Sequence, residues 1–557
     1  MAANSAEIKP RAGDDRFIHH ARVFAALTLL SRLLGLVRDA LLVRILGVTG
    51  IGTAFNIAFQ FPNTFRRLFG EGALAAAFIP EYAQTKKHDP ERAARLASLS
   101  VALLGAGLTV VAGVIGLALS LVLALVPMPQ GGQDAVLLLV IMLPFMPLVC
   151  ITALLGAMLQ THGRFAAQAG APVILNLCMI GATVIAGYAL RAEPRTTAIV
   201  VAASVTLAGL LQVAWCLRDL RGLAGWTRAV QGIGDSVRRV AARMGPVALG
   251  LGAMQIGTLI ESWVLVGWPL YIGPTIGGAA YPLDDGAGAA LYNAQRLYQF
   301  PLGIFGIALA TAVFPLLARQ SDEPQQFAST LRRGLRMSAL IGIPATAGLI
   351  WVADDLVAVV FQGGAVGPIG AARISRCLVA YGLLVGTYSL IHVLTRAFYA
   401  RGETKLPMRV SIVTVALGLV LSAGLMWPLR EPGLAAAASI ASIVQLLALA
   451  HFAHRRLGEP GSLLFDRATA MALARIAGAT TVMLAVLWLL SLILPLGEGR
   501  PWWGRLALLV TQCGVGAATF GVIAFFVSPQ EVRWILEKGP QTPVDAALDD
   551  SAAEGPN

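Results

Sequence analysis

An arginine near the middle of a membrane-spanning helix costs about 2.5–3.5 kcal/mol on insertion scales, so arginines inside long apolar stretches mark chemistry. The stretch 23–48 holds Arg32, Arg38, Asp39 and Arg44; 52–83 holds Arg66, Arg67 and Glu71; 287–318 holds Arg296. Arg67 and Glu71 are spaced to pair along one helix. Arg66, a third of a turn away, has no such partner. Arg32 and Arg38 are six residues apart, about 120° round a helix, and neither has an acid three or four positions away. They would flank a broad cavity, with Gly35 between them allowing a close helix approach or a kink. The guanidinium fork matches phosphate oxygens in bidentate, charge-assisted bonds. These residues therefore predict a cavity that binds a phosphate- or pyrophosphate-bearing substrate through Arg32, Arg38, Arg66 and Arg296. Ser31, Gly35, Asp39, Arg67, Glu71, Glu261, Gln295 and Gln299 are the candidates for supporting or coupling it.

Plainer roles are open for several of these groups. Arg44 could snorkel to an interface, and Arg373 and Arg376 could hold backbone carbonyls. Asp39 could pair with an arginine of another helix. Glu261 is either a protonatable coupling group or a protonated or arginine-paired structural residue. The seven histidines do not converge, and neither a metal-binding HExxH, a nucleophilic serine motif nor a phosphate-cradling GxxxxGK[ST] loop is present. Five scattered cysteines (Cys150, Cys178, Cys216, Cys377 and Cys513) read as small core residues, without a disulfide framework or metal site.

The elements that position these charges are membrane spans. Of 557 residues, 57% are hydrophobic and only 13% charged, well short of the quarter a soluble surface requires. Fourteen apolar stretches are long enough to cross a bilayer: 23–48, 52–83, 96–127, 134–160, 167–190, 196–217, 241–269, 287–318, 330–353, 370–400, 407–428, 432–453, 468–494 and 503–528. The net charge of +12 reports topology and not nucleic acid. Of 42 Lys and Arg, 29 fall on the side shared by both termini, 5 on the other and 8 inside spans. By the positive-inside rule both termini are cytoplasmic. Trp268, Trp351, Trp427, Trp502 and Trp503 fall at the outer ends of spans, as an interfacial belt would. The outer loop 270–286, rich in Gly and Pro, is a lid or a simple connector.

A repeat runs through the chain. Gln60-Phe61-Pro62 recurs as Gln299-Phe300-Pro301, 239 residues later, and each triplet is followed by a similar block ending near Pro80 or Pro315. Six helices per copy give both copies one orientation. The expected fold is all-α and polytopic, with about 14 transmembrane helices in two parallel six-helix lobes plus two C-terminal helices. The expected division is a cytoplasmic leader (1–20), an N-lobe (21–220), a C-lobe (221–457), two further helices (458–530) and a disordered cytoplasmic tail (531–557).

SRLLGLVRDALLVRILG (31–47) and FPNTFRRLFGEGALAAAFIPEYAQ (61–84) strongly resemble the MurJ/MviN family of lipid II flippases. The resemblance continues in order through LQTHGRFAAQAGAPVILN (159–176), QRLYQFPLGIFGIALATAVFPLLAR (295–319) and RAFYARGETKLPMRV (396–410). It implies a MOP-superfamily fold. It also implies flipping of undecaprenyl-pyrophosphate-linked disaccharide-pentapeptide from the cytoplasmic to the periplasmic leaflet for peptidoglycan synthesis. The family's cavity arginines match Arg32, Arg38, Arg66 and Arg296, and its last two helices border a groove for the lipid tail. The chain departs from the family pattern at Gly52-Thr53-Ala54-Phe55, where an acid is common. It departs again at Gln295 and Gln299, where acids often flank the arginine. The cavity should thus be more positive than in typical members, and coupling through those acids is not carried over. No sodium site is expected in the carboxylate-free stretch 407–428.

The expected mechanism is alternating access in a bacterial inner membrane, without cofactor or catalysis, biased by the membrane potential. The expected partners are lipid II, membrane lipids and cell-wall synthesis proteins. The nearest rival is a flippase for O-antigen or other lipid-linked polysaccharide. A drug exporter of the same superfamily would place acids and aromatics in the cavity, and a membrane glycosyltransferase would cluster acids at one interface.

Overall fold

The computed structural model describes residues 12–67, 74–229, 231–457, 466–494 and 501–536. Ten helical segments among them are long and apolar enough to cross a membrane: Pro90–Leu125, Gln130–Thr161, Ala166–Ala189, Pro194–Leu220, Pro324–Trp351, Pro368–Ala400, Lys405–Leu429, Glu431–Arg456, Arg467–Ile493 and Trp502–Val527. They correspond to ten of the fourteen expected stretches. The other four are the first, second, seventh and eighth. The first is helical over Ala12–Leu46 and so starts within the expected leader. The second is described as Gly50–Phe65 and Leu74–His88. The seventh is α-helical over Gly234–Ile260, then passes through a wide π turn at Glu261–Val266. The eighth does the same at Leu302–Gly306, after Pro301. Proline and inserted turns loosen helices at such sites.

Local signals explain the ends of the regular spans. Asp89 caps Pro90–Leu125, its side chain accepting from the Arg92 amide at 2.9 Å, with Pro90 in the first turn. Asp466 caps Arg467–Ile493 by accepting from the Thr469 amide at 2.7 Å. Outward surfaces are apolar, as Leu117, Leu125, Val413, Val420, Trp503 and Phe526 show. Such a belt is stable only against lipid. The chain is a multi-pass membrane protein.

The repeat is written into the backbone. The helices ending at Thr161 and Ala400 close with the same hydrogen bonds, from Gly163 and Arg164 to Gln160 and Leu159, and from Gly402 and Glu403 to Tyr399 and Phe398. Gly163 and Gly402 take the left-handed conformation at φ +71° and +74°, as a helix C′ position demands. Among the described residues, Arg191 and Arg430 are the non-glycine residues with positive φ, at +50° and +55°. Each pair is separated by the 239 residues that separate the two QFP triplets.

By packing, the chain forms two compact units. One comprises Met1–Arg296, Val360–Ile374 and Leu419–Leu434. Its core gathers Phe55, Phe59, Met142, Phe145 and Met146, with Phe78, Leu96 and Leu154 in a second cluster. The other comprises Leu297–Val359, Ser375–Gly418 and Ala435–Asn557, cored by Phe327, Leu331, Leu394, Phe398 and Leu449.

Two expectations need correcting, and one loop takes a defined form. The tail is helical over Pro529–Leu536, where buried Glu531 lies 3.7 Å from Arg336 and Trp534 lies under Arg333, so order extends past 530. The outer loop closes as a tight hairpin, Thr275–Ile276 against Ala279–Ala280, turned by Gly277 and Gly278 at φ +56° and +84°. It is a connector. Cys513 is exposed and not a core residue.

Candidate substrate-binding site

The first helix sets the geometry. Arg38 and Asp39 are consecutive and both about 5% exposed. The Arg38 side chain folds back so that Nε and Nη2 donate to Asp39 Oδ1 at 2.9 and 2.7 Å. Its Nη1 donates to Asn176 Oδ1 at 2.9 Å, and the guanidinium lies 5.4 Å from the Phe59 ring centre. Asn176 in turn donates to the Ser31 carbonyl at 2.8 Å, which ties the helix Ala166–Thr183 to the first helix. The second carboxylate oxygen of Asp39 faces Arg296, whose Nε is 3.1 Å away. Arg296 also donates to the Tyr292 hydroxyl at 2.6 Å and covers that ring at 4.8 Å. Beside the cluster a cavity of about 10 Å³, lined by Asp39, Asn56, Tyr292 and Asn293, has room for a single water.

Arg38 and Arg296 are thus not the uncompensated cations that their spacing suggested. One buried carboxylate serves both. Two guanidiniums on one carboxylate retain a net charge of about +1, and any incoming anion competes with Asp39 for donors already in place. Arg32 differs. It is half-buried, and among the described residues none forms a hydrogen bond or ion pair with it. Arg66, at the C-cap of Gly50–Phe65, donates from Nε to Asn63 Oδ1 at 2.9 Å, a partner one turn back.

Ser31 donates to the Thr28 carbonyl at 2.9 Å. Gly35 is not needed for close approach: an added Cβ would meet Asn176 at 3.7 Å, ordinary contact. Glu261 opens the π turn and accepts from Ser422 Oγ at 3.0 Å. No arginine pairs with it among the described residues. Arg67 is half-buried, and its expected partner Glu71 lies outside the described residues. Gln295 and Gln299 are half-buried, one turn apart on the helix Ala287–Pro301.

Arg44 and Arg373 belong to a separate set, away from the cluster. Arg44 donates to the Val360 carbonyl at 3.1 Å, and its own carbonyl accepts from the Ala365 amide at 2.7 Å. Gly364 makes that approach possible, since a Cβ there would lie 2.2 Å from the Arg44 oxygen. Arg373 donates to Asp284 at 2.6 Å and to Glu431. Carboxylates hold it, in place of the expected backbone carbonyls. Arg376 is exposed.

Comparison with known proteins now has this geometry to meet. The model of the family "Lipid II flippase MurJ" matches residues 42–497. The chain belongs to the MurJ family. Among MurJ relatives, a probable lipid II flippase MurJ of Vibrio cholerae is 32% identical, covering 91% of this chain and 95% of its own. One from Rhizobium tropici is 31% identical over 95% and 97%. A solved structure, "Lipid II flippase MurJ, inward closed conformation", superposes with a TM-score of 0.74 at 20% identity, covering 91% of this chain and 99% of that one. An inward-facing MATE-family transporter of the MOP superfamily reaches 0.58 at 14% identity, over 78% and 98%. The fold is therefore the MurJ fold, with MATE transporters as more distant neighbours.

Sequence reasoning missed Asn176, Asn63, Tyr292 and Phe59. Asn176 could have been found as a lone amide within an apolar helix, since polar groups there bind across helices. Tyr292 precedes Arg296 by one turn, the spacing at which helix neighbours meet.

Proposed function

We propose that the chain flips lipid II, the undecaprenyl-pyrophosphate-linked peptidoglycan precursor, across the bacterial inner membrane from the cytoplasmic to the periplasmic leaflet. Membership of the MurJ family over most of the chain carries this reading, since relatives that match nearly end to end bear the name lipid II flippase. The 29-to-5 distribution of Lys and Arg supports cytoplasmic termini. The protein acts as a transporter: the substrate changes leaflet, with no bond made or broken.

The charge of the site supports pyrophosphate as the group recognised. Arg32, Arg38, Arg66 and Arg296 against Asp39 leave about +3, enough to neutralise a pyrophosphate diester of about −2. Arg32 captures the anion first. Arg38 and Arg296, preorganised on Asp39, then exchange that carboxylate for phosphate oxygens. The lipid tail stays in the bilayer while the lobes alternate their access. The potential acts on the empty cavity, at about 2.3 kcal/mol per charge per 100 mV, and favours its return toward the negative cytoplasm. Voltage-independent turnover in vesicles with an imposed potential would remove that bias.

The test is rescue of a strain conditionally depleted of its lipid II flippase, with inserted and expressed protein confirmed. Rescue by wild type and failure of Arg32→Ala is the expected result. A folded, inserted wild type that cannot rescue would move a lipid-linked polysaccharide to the front as substrate.

A further inference from the structure

A cleft of about 440 Å³ opens where the helix Pro90–Leu125 ends and those beginning at Gln130 and Pro194 start. It lies on the face opposite the arginine-rich loops, which carries only 5 of the 42 basic residues. One wall is apolar, formed by Leu123, Leu125, Val126, Pro127 and Leu137. Leu125 is 76% exposed, so this wall faces lipid. The other side presents Arg195 and Gln133.

Arg195 is half exposed and held at one point only. Its Nε donates to Asp134 Oδ1 at 2.7 Å. Asp134 is fixed from its other side by Gln130 at 3.0 Å. The anchor orients the guanidinium and leaves its two terminal nitrogens, four N–H donors, without a protein acceptor among the described residues. A rigid fork above an apolar wall at membrane-interface depth matches one chemistry, a phosphate ester on an acyl chain.

We propose that this cleft binds a phospholipid of the outer leaflet through a monoanionic phosphodiester on Arg195, with the upper acyl chain along Leu123–Pro127. The donors select the occupant. The Arg195–Asp134 pair is neutral overall and offers only the four N–H donors of its two terminal nitrogens, which suit the two free oxygens of one phosphodiester, whereas a pyrophosphate calls for the several arginines of the central cluster. The volume suits a headgroup with the first part of a chain, in the range of small-molecule pockets. The inference concerns a region apart from the arginine cluster, and its test does not depend on flipping.

Purified protein in detergent is titrated with phosphatidylglycerol, phosphatidylcholine or undecaprenyl phosphate, and bound lipid is counted by native mass spectrometry. Wild type should retain phosphatidylglycerol on the order of tenfold more tightly than Arg195→Gln, the loss expected for one charge-assisted pair. Phosphatidylcholine, which carries a compensating cation, should respond less. Arg195→Gln with Asp134→Asn should lose as much as Arg195→Gln alone. Equal binding by wild type and Arg195→Gln overturns the proposal, as does recovery of binding in the double variant, which would trace the loss to an unpaired Asp134. Tighter, Arg195-dependent binding of undecaprenyl phosphate overturns the choice of occupant.

Discussion

Replacing Arg32 and Arg38 one at a time should separate an arginine that binds from an arginine that is also built into the fold. Arg38 is about 5% exposed and uses all three nitrogens, two on Asp39 and one on Asn176. Arg38→Ala leaves a buried carboxylate with Arg296 alone at 3.1 Å. It also leaves the Asn176 amide oxygen without its donor. Removing one partner of a buried ion pair costs about 3–5 kcal/mol. The remaining arginine puts this case near the lower figure, about 3 kcal/mol. Arg32 makes no bond with any described residue, so Arg32→Ala should change stability by no more than about 0.5 kcal/mol. Its loss should appear in binding. A charged hydrogen bond contributes about 1.5–3 kcal/mol, which corresponds to a roughly 10- to 150-fold weaker hold on the pyrophosphate. Both proteins are purified, their unfolding followed by heat in one detergent, and lipid II binding titrated by native mass spectrometry. The expected pattern is a wild-type transition with weakened binding for Arg32→Ala, and a lowered transition together with weakened binding for Arg38→Ala. If Arg32→Ala unfolds as early as Arg38→Ala, or Arg38→Ala unfolds with wild type, the division of roles drawn from the hydrogen bonds is wrong.

Four more substitutions probe other parts of the same picture. Gly35→Ala has room for its methyl group; thermal unfolding should show a gain of about 0.5–1 kcal/mol from helix propensity, and failed complementation with that gain would mean the first helix must bend there. Arg373→Gln strands the buried Glu431 and should cost about 3 kcal/mol, much of it recovered by adding Glu431→Gln in a double-mutant cycle. Gly364→Val places side-chain atoms on the Arg44 carbonyl; crosslinking between cysteines introduced at 44 and 365 should fall relative to the same pair with Gly364 kept. His162, just past the span ending at Thr161, has its pKa lowered by burial first and then by Lys86 and Arg164. A lowered folded value means that its contribution to stability is present above the unfolded pKa of about 6.5 and is lost as pH falls through the folded one. His162→Gln should therefore flatten the decline in melting temperature between about pH 7 and 5, and an unchanged slope would place that decline elsewhere.

How much of this was legible in the sequence depends on the range of the force concerned. Span positions follow from local composition, and ten appear where apolar length alone places them. The repeat was legible in the QFP triplets at Gln60 and Gln299, and the backbone has the same spacing at Gly163 and Gly402 and at Arg191 and Arg430. The type of the central residues was legible too, since intramembrane arginine is costly and therefore informative. Their neutralisation was not. Helix spacing rules search three and four residues away, while Asp39 takes Arg38 from the adjacent position and Arg296 from a distant helix. A long guanidinium can fold back on its neighbour, and only the tertiary fold decides which of several distant cations a carboxylate meets. The same holds for Arg373, whose carboxylates Asp284 and Glu431 lie 89 and 58 residues away in the chain.

The first, second, seventh and eighth stretches hold most of the candidate charges, and that distribution has a physical cause. They carry Arg32, Arg38, Asp39, Arg66, Glu261 and Arg296, and two of them pass through π turns. A helix meant only to anchor can be apolar all round, whereas one that meets a pyrophosphate headgroup must present charge on one face and loosen where it moves. Making these four helices uniformly apolar and regular, for example with Arg32→Leu and Pro301→Leu together, should raise insertion efficiency and thermal stability while abolishing complementation. A doubly substituted protein that inserts better and still sustains growth would break the link between polarity and transport on which the whole reading of this site depends.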